Sequence, residues 1–230
     1  MKISGFQKLT LLDYPGKVAA LLFTAGCDFR CPFCQNSELV LNPALAPAID
    51  TEYIFDYLKK RSGVLDGVCI TGGEPLLSDG VFETARRIKS LGMIVKLDTN
   101  GSFPDRLSEM IAEKLCDYVA IDIKSSKRNY HTASGCMIDL SKIEKSVGIL
   151  MTGSVDYEFR TTCVRELVSR DDLRGIGEWI RGAKRYRLQT FVPGERNISP
   201  EGYTAYTPEE MLELRDMMKE YVSDVEVRGI

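Results

Sequence analysis

Short runs rich in β-branched and other apolar residues recur along the chain, at Val18 to Thr24, Gly67 to Thr71, Met93 to Asp98, Tyr118 to Asp122, Tyr157 to Thr162 and Tyr186 to Thr190. Most are continuous in apolar character instead of alternating, as expected of strands in a parallel sheet covered by helices. The stretches between and after them predict helices over Ile49 to Lys60, Val81 to Leu91, Leu107 to Lys114, Leu140 to Leu150, Leu173 to Arg181 and Pro208 to Tyr221. Asp50 or Thr51 is placed to cap the first helix, Ser141 lies near the start of the fourth, and Thr207 precedes a proline and two acids at the last. The pattern amounts to about six strand-helix units.

Residues 1–16 read as an extension: a hairpin over Met1 to Leu12, joined to the first core strand by the turn Asp13-Tyr14-Pro15-Gly16-Lys17. No repeat, low-complexity tract or linker interrupts the chain, so one domain over 1–230 is expected. Polar motifs follow three of the strands: Gly72-Gly73-Glu74-Pro75, Asp98-Thr99-Asn100-Gly101 and Asp122-Ile123-Lys124. In a barrel-like parallel sheet these ends converge on one face, where sites are built.

Composition narrows the class. With 44% hydrophobic and 27% charged residues, the chain carries enough apolar side chain for one sizeable core. A net charge of -3 gives no general electrostatic basis for holding nucleic acid. The start lacks an apolar signal core, and the most hydrophobic run, Val18 to Ala25, falls far short of the roughly 18 to 20 residues that cross a bilayer. A cytoplasmic protein with no membrane partner is expected. Seven cysteines, three of them within eight positions, argue for reduced ligand thiolates over a secreted disulfide framework.

Those three lie in Gly26-Cys27-Asp28-Phe29-Arg30-Cys31-Pro32-Phe33-Cys34-Gln35-Asn36. Three thiolates so spaced can wrap one soft metal centre, and a four-iron cubane held by three would keep one iron free of protein sulfur. Structural zinc prefers four protein ligands and a different spacing, although Cys69, Cys116, Cys136 or Cys163 offers a fourth in principle.

On the Cys27/Cys31/Cys34 triad, the aromatic Phe33 before its last member and the later Gly72 to Pro75 segment, the chain resembles the radical S-adenosylmethionine (SAM) enzymes. Asp98 to Gly101, Asp122 to Lys124 and the segment Leu11 to Gly16 sharpen the resemblance toward activators of glycyl-radical proteins, most closely those of anaerobic ribonucleoside-triphosphate reductase. That resemblance implies an α/β fold, an incomplete (β/α)6 TIM-like barrel with parallel strands. It also implies a [4Fe-4S] cluster on the three cysteines and SAM chelating the open iron. Its reductive cleavage gives methionine and a 5'-deoxyadenosyl radical, which takes a hydrogen from a glycine of the partner. A flavodoxin-like or ferredoxin-like protein is the implied one-electron donor.

The resemblance places Phe33, Asn36, Gly72, Gly73, Glu74 and Pro75 around the cofactor, with Glu74 accepting from its ammonium group. Asp98 and Asp122 lie at its methionine end and can hold a monovalent cation there, and Lys124 can pair with its carboxylate. Thr99 and Asn100 offer polar edges, with Arg160 and Gln189 as further contacts. His131, the one histidine, reads as an exposed loop residue. Competing readings are an activator of pyruvate formate-lyase or another glycyl-radical enzyme, a radical enzyme acting on a small molecule, and an iron-sulfur electron carrier. The histidine-free stretch Leu188 to Gly194 weighs against the pyruvate formate-lyase activators, and the absence of a local fourth cysteine weighs against the carrier.

Overall fold

The computed structural model describes residues 1–229, in which eight strands form one sheet in the order β1 to β8. In chain order the elements are β1 (Ile3–Thr10), β2 (Ala19–Thr24), α1 (Ser37–Leu41), α2 (Thr51–Lys60), β3 (Gly67–Gly72), α3 (Gly80–Ser90), β4 (Ile94–Thr99), α4 (Pro104–Ala112) and β5 (Tyr118–Asp122). They continue with α5 (Tyr130–Ser134), α6 (Leu140–Met151), β6 (Asp156–Cys163), α7 (Arg170–Trp179), β7 (Arg185–Thr190), α8 (Pro208–Met218) and β8 (Asp224–Arg228). Strands β2 through β8 pair in parallel, whereas β1 runs antiparallel to β2. Among the described residues β1 and β8 are not paired to each other, so the sheet stays open as a partial barrel.

Three expectations change. Seven strands run in parallel, because Asp224–Arg228 adds one after the last expected unit. The N-terminal hairpin is not confined to residues 1–12: β1 is a single strand whose hairpin partner is β2 itself. Tyr130–Ser134 is a short helix, and His131 is half-buried on it, its Nδ1 accepting from the Ile138 N–H at 3.3 Å. Two of the expected caps form: the Asp50 carboxylate accepts from Glu52 N–H, and Thr207 and Glu210 form a reciprocal box. The fourth long helix is capped by Asp139, which accepts from the Ser141 N–H.

The strands alternate more than their apolar runs suggested. Ala20 and Leu22, Val68 and Ile70, Val95 and Leu97, Val119 and Ile121, Tyr157 and Phe159, and Tyr186 and Leu188 join one core under the helices. Alternate positions, Thr71, Asp98, Asp122, Arg160, Thr162 and Gln189, line a cavity on the other face. A curved sheet takes helices on its convex side only, so the concave side is free to carry polar side chains.

The floor of that cavity comes from the Asp13 to Gly16 turn. Tyr14 is 4% exposed and packs with Ala19, Ile94 and Tyr118, each the first residue of its strand, its ring 5.9 Å from that of Tyr118. Asp13 lines the cavity above, and its carboxylate accepts from Thr10 Oγ1 at 2.5 Å. The turn thus closes the amino ends of the strands and leaves the carboxyl ends as the open mouth.

Candidate active site

The loop after β2 carries Cys27, Cys31 and Cys34 to the mouth, where all three line one cavity of about 410 Å³. Its shape is held from several sides. Cys34 N–H donates to the Cys31 carbonyl at 3.0 Å, and Phe29 N–H donates to Cys27 Sγ at 3.3 Å. The long connection from β7 to α8 lies against the loop, with Ile198 N–H donating to the Cys34 carbonyl at 3.1 Å and Ser199 N–H to the Pro32 carbonyl at 2.8 Å. Burial pushes the Cys27 thiol well up, and pushes Cys31 up to about 12 against the pull of the Lys124 cation. Thiols so placed give up their protons when a metal takes the sulfur.

Among the described residues, no three histidine, cysteine or acidic side chains stand close enough to hold a single metal ion. Three thiols on one cavity are a donor set of the kind that binds an iron-sulfur cluster. A cubane cluster spreads its thiolates wider than one ion does, and the cavity they share is lined by Cys27, Cys31 and Cys34 with no further cysteine. Cys69, Cys116 and Cys163 are buried elsewhere, and Cys136 does not line the cavity, its Sγ donating to the Asp28 carbonyl at 3.6 Å.

The glycines beside the triad make room by necessity. Gly72 has φ +119°, and a Cβ on Gly73 would lie 1.9 Å from the Gly26 carbonyl oxygen, so the end of β3 touches the cysteine loop backbone to backbone. Asn36, at the start of α1, ties the far side by donating from Nδ2 to the Gly72 carbonyl at 3.0 Å.

Glu74 and Pro75 take a different place from the one expected, for neither lines the cavity. Glu74 is 1% exposed and its carboxylate is occupied internally. It accepts from Leu76 N–H at 3.0 Å, Thr99 Oγ1 at 2.8 Å and Asn100 N–H at 2.7 Å, a staple between the ends of β3 and β4. Burial, opposed by those bonds, pushes its carboxyl up to about 7. A carboxyl raised from 4.5 contributes stability that is present below the unfolded value and lost as pH rises through about 7. Ionising the buried carboxyl should therefore cost the fold about 2–3 kcal/mol between pH 5 and pH 8. Glu74→Gln cannot titrate, so urea unfolding of the two proteins should show a flatter pH dependence in the variant; parallel curves would contradict the assignment.

Asp98, Asp122, Lys124 and Arg160 meet in one buried ion cluster. Arg160 donates from Nη1 to Asp98 Oδ2 at 3.0 Å and from Nε to Asp122 Oδ1 at 2.7 Å. Lys124 reaches Asp122 Oδ2 at 3.2 Å, and the fully buried Lys96 donates to Asp98 Oδ1. Burial pushes both carboxyls up, but the Arg160 cation, with Lys96 and Lys124, outweighs it and holds both below the usual carboxylate range. The relief of repulsion expected from a monovalent cation between Asp98 and Asp122 is thus provided by the protein's own guanidinium. Phe33, Asn36, Gly72, Gly73, Asp98, Thr99, Asn100, Asp122, Lys124, Arg160 and Gln189 all line the cavity, as does Asp13, which the motif reading passed over. The Lys96-x-Asp98 alternation was the available signal for the buried lysine, since residues two apart share a strand face.

An open, largely parallel sheet thus carries three thiols and a polar, ion-paired cavity at its carboxyl ends. The chain belongs to the radical SAM superfamily, whose profile matches residues 21–150. It is 32% identical, over 99% of its length and 96% of the relative's, to a Methanocaldococcus jannaschii protein that carries the provisional name glycyl-radical enzyme activating enzyme. A second protein of that organism with the same provisional name is 24% identical over 97% of the chain and 81% of the relative. Among solved structures, Streptococcus suis SuiB bound to its precursor peptide matches 91% of the chain with TM-score 0.71 and 13% identity, the chain covering 48% of it. A domain of a Bacteroides vulgatus pyruvate-formate lyase-activating enzyme matches 71% of the chain and is itself 99% covered, with TM-score 0.57 and 17% identity. These likenesses support the partial-barrel fold. Among the described residues no helix is long and apolar enough to cross a membrane.

Proposed function

We propose that this protein activates a glycyl-radical enzyme by generating a radical from SAM. The observation that carries the reading is the convergence of Cys27, Cys31 and Cys34 on one polar cavity in a chain whose near-full-length relative bears the activating-enzyme name. Those cysteines would hold a [4Fe-4S] cluster, which when bound with SAM supplies the electron that breaks the S–C5' bond and yields the 5'-deoxyadenosyl radical.

The chain's residues position and shield. The Gly72-Gly73 backbone admits the ligand beside the cysteine loop, and Lys124 faces the cavity as the counter-charge for its carboxylate. Asp98 and Asp122, pinned by Arg160, keep rigid oxygens at the same end. Asp13 lines the cavity from the turn, and Tyr14 packs among the first residues of β2, β4 and β5, which closes the amino ends of the strands.

The narrower reading takes anaerobic ribonucleoside-triphosphate reductase as the partner, supported by the Leu11 to Gly16 and Cys27 to Asn36 segments and served by a flavodoxin-like or ferredoxin-like donor. The names of the full-length relatives single out no partner, so activation of pyruvate formate-lyase or another glycyl-radical enzyme is the better supported of the two readings. Relatives acting on small molecules by name, a GTP 3',8-cyclase and a 7-carboxy-7-deazaguanine synthase, match only 53% and 40% of the chain. The test mixes the anaerobically reconstituted protein, SAM and a one-electron donor with each candidate partner in parallel. A glycine-centred electron paramagnetic resonance signal is expected on one of them. A signal confined to pyruvate formate-lyase would reject the reductase, and signals on none, with a small molecule consumed instead, would reject glycyl-radical activation.

A further inference from the structure

Asp28, between the first two cysteines, has no part in the scheme above, yet it belongs to a small web around Cys27. The Asn100 side-chain amide donates to Asp28 Oδ1 at 2.8 Å and lies 3.8 Å from Cys27 Sγ, within donor reach of a sulfur. Cys27 Sγ is itself 3.9 Å from Asp28 Oδ1, and Phe29 N–H approaches the same sulfur at 3.3 Å. Asn100 is fixed in turn, for its N–H is held by Glu74 at 2.7 Å and its Oδ1 accepts from Ser102 N–H at 2.9 Å. The amide that touches the sulfur is therefore aimed by the buried staple on one side and by Asp28 on the other.

We infer that Asp28 and Asn100 form an opposed pair that positions Cys27 and sets the reduction potential of the cluster it holds, Asp28 lowering it and Asn100 raising it. This rests on the cluster reading given above. A negative charge beside a ligating sulfur disfavours adding an electron, whereas a hydrogen-bond donor to that sulfur favours it, and cluster potentials follow both net charge and such bonds. Asp28 is exposed, so its field is that of a charge largely in water. At about 4 Å such a charge alters the ratio of reduced to oxidised cluster about fivefold at a fixed potential. Asp28 is a positioning residue: it acts on the sulfur through the amide it orients and the charge it brings.

Asp28→Asn isolates the charge, since an asparagine oxygen still accepts from Asn100. The reconstituted full-length protein should keep its iron, and a redox titration followed by electron paramagnetic resonance should show a more positive midpoint, with about fivefold more reduced cluster at a fixed potential. Asn100→Ala removes the donor and should move the midpoint the other way. Asp171→Asn, an exposed carboxylate on α7 away from the site, should leave it unchanged. An Asp28→Asn protein with full iron and the wild-type midpoint would overturn this inference alone. A wild-type protein that takes up no iron would overturn the cluster reading and this inference with it.

Discussion

Replacing any one of Cys27, Cys31 or Cys34 by alanine is expected to abolish reductive cleavage of SAM, with iron content after anaerobic reconstitution falling well below the roughly four irons of a loaded cluster. The three thiols line one cavity without a fourth cysteine to substitute, so each loss removes a ligand that nothing nearby replaces. Serine at Cys69, Cys116, Cys136 or Cys163 should leave cleavage intact. At the buried positions it should cost only stability, since a hydroxyl there needs a hydrogen-bond partner that a thiol does not. Iron analysis and the yield of 5'-deoxyadenosine separate the two groups. Loss of the cluster in one of the second set, with a triad member dispensable, would reject the ligand assignment.

Arg160→Ala should be the most destabilising substitution in the site, by about 3–5 kcal/mol, as expected when one partner of a buried charge cluster is removed. Arg160 is 9% exposed and spans two strands by pairing with both Asp98 and Asp122. Without it the two carboxylates face each other with one lysine each. Arg160→Lys should recover only part of the loss, because one ammonium cannot reproduce the planar fork that serves two acids. The pH dependence follows in sign. Carboxyls held low in the folded protein contribute stability above their unfolded values, near 3.8, which is lost as pH falls through the folded ones. The deficit of Arg160→Ala should therefore be largest at neutral pH and narrow in acid below about pH 4. Urea unfolding at both pH values checks it, and a deficit independent of pH would assign the loss to packing instead.

The repeating apolar runs made the parallel strands legible, and the strand-end motifs located the mouth of the cavity. What they hid had physical causes. Strand β8, Asp224-Val-Glu-Val-Arg, alternates at an open edge and lacks the continuous apolar run that marked its neighbours. Helices α1 and α5 span five residues each, too short for a helical period to stand out, which left His131 in an expected loop. The charged side chains of the cluster stand far apart in sequence, and only register shows that Lys96, Asp98, Asp122 and Arg160 meet. Glu74 shows the opposite limit: its motif was plain, but its three internal hydrogen bonds depend on how the ends of β3 and β4 approach each other.

The central claim, that a radical made at this site takes hydrogen from a partner's glycine, is tested most directly by isotope transfer. The glycyl-radical enzyme identified by its resonance signal would be prepared with deuterium on the glycine α-carbon and incubated anaerobically with the protein, SAM and the donor. The mass of the 5'-deoxyadenosine formed is then measured. Incorporation of one deuterium into that product, in step with radical on the partner, is the expected result. Product that forms without deuterium while the partner stays radical-free would contradict the account.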